Sequence, residues 1–98
     1  MSPIISESEE KPIVLLFTAE WLGTAHILET FLKELAPDFP AAVIYKIDVD
    51  TNQTLPDQFG ISQVPTTVFL RHGEIRDFVI GVISRSKLRQ KFSSLLAE

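Results

Sequence analysis

A continuous run of apolar residues near the start of the chain constrains the fold more than any other segment. Residues 13–17 read Ile-Val-Leu-Leu-Phe and include no polar position. A strand with one wet face would alternate apolar and polar residues, whereas an uninterrupted apolar run is typical of a strand covered on both sides. We therefore expect a sheet with packed layers on each face, within one domain of 98 residues.

The segments after this strand alternate between helical and strand patterns. Apolar residues over 27–35 follow helical spacing, and Pro37 ends that helix. Residues 43–49 are rich in strand formers and predict a second strand, and residues 52–59 predict a short helix that Gly60 closes. Strands separated by a helix in this order imply a parallel, right-handed crossover.

The last third of the chain predicts an antiparallel hairpin and a final helix. A third strand opens at residues 64–70, His72-Gly73 forms a two-residue turn, and residues 74–80 return as a fourth strand. Ser84 is expected to cap a helix whose apolar residues face inward. The whole order predicts an α/β fold with a mixed central sheet flanked by helices.

The first residues differ in character from the rest. Residues 1–11 read as a polar N-terminal lead rich in glutamate, and residues 12–98 as the domain itself. Ile4 and Ile5 could add a short edge strand to the sheet. The lead has no basic region and no long apolar run, which argues against a secretory signal or a membrane anchor and predicts a cytoplasmic protein.

The composition excludes several classes of function. The chain has no cysteine, so it can form neither a disulfide framework nor a thiolate metal site. Its net charge of −4 disfavours binding to nucleic acid, and its longest apolar stretch is too short to cross a bilayer. We expect no metal and no cofactor, because no zinc spacing, phosphate loop or catalytic triad order stands out.

The most informative motif lies in residues 17–26, which read Phe-Thr-Ala-Glu-Trp-Leu-Gly-Thr-Ala-His. This segment resembles the active-site signature of the thioredoxin family, in which a tryptophan is followed by Cys-Gly-Pro-Cys at the end of a strand and the start of a helix. The tryptophan and the glycine are in place here. Leu22 and Ala25 occupy the two cysteine positions, and Thr24 occupies the proline position.

Other landmarks resemble the same family in the same order and spacing. Lys46 to Asp50 resembles its second core strand, and Val64-Pro65-Thr66 resembles the loop that carries its cis-proline. His72-Gly73 resembles its hairpin turn, and Gly81 resembles the glycine that borders its substrate groove. The resemblance implies the thioredoxin fold, with an N-terminal helix that is reduced or absent and a cis Val64–Pro65 bond.

The departures from the family pattern concern the catalytic groups. Family catalysis needs an exposed thiolate, a resolving thiol and a buried carboxylate that assists proton transfer. Leu22 and Ala25 stand at the thiol positions, and Leu16 stands at the position that resembles the carboxylate's. We therefore expect no catalytic residue and predict that the chain is not a thiol-disulfide oxidoreductase. The vestigial active site comprises Trp21, Leu22, Gly23, Thr24 and Ala25.

An apolar groove is predicted beside this vestigial site. Leu22 is a large apolar group at a position that resembles an exposed nucleophile's, and exposed apolar patches often mark interaction sites; the alternative is that the loop folds Leu22 inward. The loop at Pro65 could expose main-chain groups that pair with an extended peptide, or serve the fold alone. The candidate groove comprises Trp21, Leu22, Ile61, Val64, Pro65, Gly81 and Val82.

Three functions stay open from the sequence. The leading hypothesis is a redox-inactive thioredoxin-like protein that binds a protein or an extended peptide through the groove. The second is an enzyme of non-thiol chemistry, or a protein that binds glutathione as some relatives of the fold do. The third is a structural subunit that self-associates into a homodimer through the apolar patch. The fold alone cannot choose among them.

Polar residues near these motifs are expected to be structural. Lys46 resembles a family lysine that lies near the buried carboxylate; with Leu16 at that position, Lys46 must reach water or find another acceptor. His26 has no ligand neighbours and is expected to be solvated. Asp48 and Asp50 lie at a strand end without further ligands, which favours a capping role over a metal site.

Overall fold

The computed structural model of the protein describes residues 3–98, and this range contains four strands and four α-helices. In chain order they are α1 (Pro3–Ser8), β1 (Ile13–Thr18), α2 (Ala25–Leu35), β2 (Val43–Asp48), α3 (Thr54–Gln58), β3 (Thr66–Arg71), β4 (Glu74–Ile80) and α4 (Arg85–Leu96). A short 3-10 turn over Ala36–Asp38 follows α2.

The strands form one mixed sheet in the order β2-β1-β3-β4. β1 pairs with β2 in parallel, with Ile13 opposite Val43, and with β3 in antiparallel fashion, with Val14 opposite Phe69. β4 returns beside β3 after a turn at His72-Gly73 with φ angles of 57° and 76°, the positive values that a tight two-residue hairpin needs. The α/β class with a mixed central sheet is confirmed.

β1 is buried along its full length and contributes to two hydrophobic cores, one on each face of the sheet. Val14 and Leu16 pack with α2 and α4 in what we call the α2/α4 core. Ile13, Leu15 and Phe17 pack on the other face with β3 and the short helices α1 and α3, in the α1/α3 core. The uninterrupted apolar run therefore predicted the burial of this strand correctly.

The N-terminal segment forms a helix rather than a strand. Ile4 and Ile5 lie in α1 and pack against the α1/α3 core, so the prediction that they add an edge strand is wrong. The Ser8 hydroxyl donates to the Ile5 carbonyl at 2.6 Å, and the N–H of His72 donates to the Ser8 carbonyl at 2.7 Å. The first bond lies within the helix, and the second ties the helix end to the hairpin turn.

With six residues, α1 agrees with a reduced N-terminal helix. Residues 1 and 2 of the polar lead lie outside the described range, and the domain boundary between residues 11 and 12 stays a prediction.

The loop before β3 is longer than the sequence pattern predicts. β3 begins at Thr66 rather than at Val64, because Pro65 has no N–H to give to a sheet ladder. The Val64–Pro65 bond is cis, as the resemblance implies.

Two helix ends lie where the sequence predicts them. Gly60 follows α3 with a φ of +67°, a conformation that glycine adopts without steric cost. Ser84 Oγ accepts the N–H of Lys87 at 3.2 Å and caps α4. Thr24 stands before α2, but its side chain makes no capping hydrogen bond.

Candidate functional site

The candidate site lies where β1 ends and α2 begins. The intervening loop is a series of turns, in which the Leu22 N–H donates to the Ala19 carbonyl at 3.1 Å and the Ala25 N–H donates to the Leu22 carbonyl at 3.1 Å. Ala25 is the first residue of α2 and is buried. Leu22 is half-buried, so its side chain is neither a free surface group nor a core residue.

Trp21 is the most exposed large apolar residue in the described part of the chain, at 69%. Its indole Nε1–H donates to Asp50 Oδ2 at 2.9 Å, and the Asp50 N–H donates to Asp48 Oδ1 at 2.9 Å. These linked hydrogen bonds hold the exposed ring in one orientation. The sequence indicates only a local role for Asp50 and does not reveal this contact, since 29 residues separate Asp50 from Trp21.

A groove of about 270 Å³ opens beside Trp21. Its walls come from the ends of β1 and β2, from α3 and from the loop before β3. In that loop, the N–H and the C=O of Val64 have no hydrogen-bond partner among residues 3–98. The lining residues are Trp21, Val49, Pro56, Ile61, Ser62, Gln63 and Val64.

The structure brings some of the predicted groove residues together and leaves others outside. The lining includes Trp21, Ile61 and Val64 but not Leu22, Pro65, Gly81 or Val82. Pro65 is buried, and its carbonyl accepts the N–H of Gly81 at 2.8 Å. This bond joins the loop before β3 to the end of β4, so Gly81 and the exposed Val82 border that loop from the β4 side.

The position that resembles the family's buried carboxylate holds Leu16, which is packed in the α2/α4 core. Lys46 Nζ lies 2.6 Å from Glu29 Oε1, and Glu29 Oε2 lies 3.1 Å from His26 Nδ1. Glu29 is therefore the acceptor that Lys46 was expected to need. His26 is largely exposed, as predicted, although its ring also contacts Glu29.

The contact between Lys46 and Glu29 shifts the pKa values of both groups. The hydrogen bond from Lys46 holds the pKa of the Glu29 carboxyl below its ordinary value, against an opposing effect of burial. The hydrogen bond to Glu29 raises the pKa of Lys46 above its ordinary value. A lysine with a raised pKa keeps its proton at neutral pH, so Lys46 is not an activated amine nucleophile.

Two further findings concern the described range alone. Within residues 3–98, no three His, Asp or Glu side chains converge in a way that could hold a metal ion. The helices of the same range are all too short or too polar to cross a membrane.

Comparison with known proteins identifies the family. Residues 3–94 match the family model described as Thioredoxin. The chain belongs to the thioredoxin family. A thioredoxin from Haemophilus influenzae is 37% identical over 78 residues, which cover 79% of this chain and 73% of that protein. A thioredoxin H-type from Ricinus communis is 35% identical over 85 residues, covering 87% of this chain and 71% of that one.

Solved thioredoxin structures share the fold. Thioredoxin O2 from Arabidopsis thaliana in its oxidized state matches with a TM-score of 0.85 at 26% identity, over 93% of this chain and 82% of that chain. Thioredoxin from Trypanosoma brucei brucei matches with a TM-score of 0.82 at 31% identity, over 93% of this chain and 80% of that chain. The resemblance to the thioredoxin family and the fold that it implies are confirmed.

The comparisons correct one prediction. Leu22 and Ala25 at the two cysteine positions led to the prediction that the chain is not a thiol-disulfide oxidoreductase. That prediction is wrong, because the relatives are named thioredoxins and the homology points to thioredoxin-type activity. The lack of cysteine in this chain does not by itself make it a non-enzyme.

Proposed function

We propose that this thioredoxin-family chain binds an extended protein segment in the groove beside Trp21. The observation that carries the proposal is the exposed Trp21 ring, which Asp50 holds beside a mostly apolar groove. A ring that is already fixed loses little conformational freedom when a partner packs on it, so more of the contact energy appears as affinity.

The main chain of the loop before β3 supports an extended ligand. Val64 offers an unpaired N–H and C=O in the wall of the groove. An extended segment that pairs with these groups would gain main-chain hydrogen bonds, and its side chains would contact Trp21 and Ile61. In strand addition, main-chain hydrogen bonds give affinity and side-chain contacts give specificity.

The charges near the groove support a protein partner over a nucleic acid. Residues 47–70, which supply most of the groove wall, contain no lysine or arginine. Phosphate backbones are bound by clusters of such residues. We place this binding in the cytoplasm, since a cysteine-free chain fits a reducing compartment.

The homology favours a second candidate, in which the same groove positions the substrate of a thioredoxin-type reaction. Because the chain contains no cysteine, the thiols of that reaction would belong to the bound partner or to a small thiol co-reactant such as glutathione. Reduction of insulin by dithiothreitol, with and without the chain, measures this activity directly.

The peptide-binding proposal is tested with paired variants and a peptide selected on the immobilised chain from a random library. The chain has a single tryptophan, so titration is followed by the fluorescence of Trp21. Ile61→Asp places a charge in the groove wall and should weaken binding at least about tenfold. Ile75→Asp is the matched control, because Ile75 is 47% exposed on β4 and does not line the groove.

An equal loss of peptide affinity in both variants would contradict the proposal. So would the failure of every selected peptide to change the fluorescence of Trp21. Thermal melts of both variants separate a loss of binding from a loss of folding.

A further inference from the structure

The outer edge of β2 carries main-chain groups without a partner. β2 is the last strand of the sheet on its side. The N–H groups of Val43 and Val49 donate to Pro12 and Thr18 at the two ends of β1. Because successive residues of a strand point their N–H and C=O groups in opposite directions, the groups of Ile44 and Lys46 point away from β1. Edges of this kind are templates for pairing with another strand.

The open stretch is bounded at both ends by the fold itself. The Ala42 N–H donates to the Phe39 carbonyl at 3.0 Å, and the Asp48 carbonyl accepts the Asn52 N–H at 2.9 Å. Between them, no hydrogen bond from the main chain of Ile44 or Lys46 to another element is formed within residues 3–98. The free edge is therefore short and well defined.

The other edge of the sheet is protected, whereas this one is not. β4 has a register shift opposite Phe69 and Leu70 and carries Glu74, Arg76 and Asp77 along its length, which are the devices that prevent edge pairing. β2 has no proline, no glycine and no register shift. Its one cation, Lys46, is neutralised by Glu29 on its own chain.

We propose that the edge of β2 pairs with β2 of a second copy, antiparallel and across a two-fold axis at Tyr45. In this register Ile44 lies opposite Lys46 of the second copy, and the two residues exchange both N–H···O=C bonds. The outward groups of each strand thus find donors and acceptors in the other. Moving the axis to Lys46 would place two lysines directly opposite each other, which is unfavourable.

Side chains on both faces also fit a second β2. On the α1/α3 face, the partly buried Val43 would lie opposite Ile47 of the second copy. On the α2/α4 face, a cavity of about 200 Å³ opens at this edge with Leu16 and Ile44 in its wall, and Ile44 of the second copy would lie beside it.

These contacts favour a second copy of the chain over a foreign peptide as the partner of the β2 edge. The strand is complementary to itself in hydrogen bonding and in apolar contact, and a two-fold contact closes on itself without forming a fibre. The contact uses a surface separate from the groove beside Trp21, so its failure would leave the proposed function untouched.

Amide hydrogen exchange combined with sedimentation tests this pairing on the unmodified chain. We expect the chain to form a dimer. As protein concentration rises and the dimer forms, hydrogen exchange at the amides of Ile44 and Lys46 should slow. The amides of Tyr45 and Ile47 face β1 and should be slow at every concentration. A monomer at millimolar concentration, or fast exchange at Ile44 and Lys46 in the dimer, would overturn the proposal. Slow exchange at those two amides in the monomer would show that the chain covers its own edge, and would overturn it equally.

Two variants of Ile44 probe the same contact in different ways. Ile44→Pro removes an outward N–H that the β1–β2 ladder does not use, and Ile44→Lys sets a lysine opposite Lys46 of the second copy. Each should weaken dimerisation at least about tenfold. Tyr45→Phe keeps the pairing groups, loses only the hydrogen bond to Glu7, and should dimerise as the wild type does. Unchanged dimerisation in a folded Ile44 variant refutes the register.

Discussion

At the scale of single residues, Glu29 carries the clearest electrostatic role, since it contacts both Lys46 and His26. Its pKa is lowered from an ordinary value of 4.5 in the folded state, so the unfolded chain binds more protons in acid. The stabilisation is therefore full above about pH 4.5 and is lost as the pH falls through the folded pKa. The pKa of Lys46 is raised from 10.5, so its share is full below that value and is lost as the pH rises through the folded pKa.

We expect Glu29→Gln to lower the free energy of unfolding at neutral pH. The difference in unfolding free energy between wild type and variant should narrow in acid. Above pH 10.5 the wild type should lose unfolding free energy as Lys46 loses its proton, and the variant should not show this loss. Denaturant melts across the pH range measure this gap. Glu10→Gln is the control, because Glu10 is exposed and forms no ion pair among the described residues. A gap that stays constant with pH would rule out the ion pair as its cause.

Thr18 offers a second test at this scale. Its hydroxyl is buried at the end of β1 and has no hydrogen-bond partner within residues 3–98. Thr18→Val replaces the hydroxyl with a methyl group of similar size and should raise the free energy of unfolding by about 1 kcal/mol. Thr66→Val should lower it by a similar amount, because the equally buried Thr66 Oγ1 donates to the Gln63 carbonyl at 2.7 Å. Denaturant melts that give both variants the same sign would contradict this explanation.

Residue-scale features of the site were only partly predictable from the sequence. Trp21 was identifiable because a short motif places it just before a helix, whereas Leu22 of the same motif does not line the groove. The partners Asp50 and Glu29 were not identifiable, since each contact depends on how two distant segments come together in space. Carboxylates are common on surfaces, and the sequence does not indicate which of them meets an indole or an amine.

At the scale of elements, the hairpin between β3 and β4 depends on its turn. Gly73 has a φ of +76°, and a Cβ at this position would lie 3.2 Å from Glu9 Cγ. Gly73→Ala should therefore cost about 1–2 kcal/mol of unfolding free energy, through backbone strain and crowding against the segment after α1. Gly23→Ala is the matched control, because no atom lies within 4 Å of a Cβ there. Thermal melts that show equal losses for both variants would count against this role of the turn.

The helices and strands were predicted correctly where one sequence signal dominated. The apolar run predicted β1, and Gly60 and Ser84 predicted helix ends that the structure contains. No residue pattern predicted α1, because six residues with two isoleucines give no helical period, and only the family resemblance implied an N-terminal helix that is reduced or absent. The helix is held by its contacts with the core and the hairpin. The groove lining was missed in part, since Val49 and Pro56 reach it only after α3 has folded back beside the end of β2.

At the scale of the whole molecule, the two cores share one strand. The side chains of β1 alternate between the α2/α4 core and the α1/α3 core, and β2 is attached to the sheet through β1 alone among the described strands. A local opening that released β1 would therefore remove its side chains from both cores and separate β2 from the sheet at the same time. No stable partly unfolded intermediate is expected on this route, so the domain should unfold in a single two-state transition. A substitution that destabilises the core on one face of the sheet should therefore also destabilise the core on the other face.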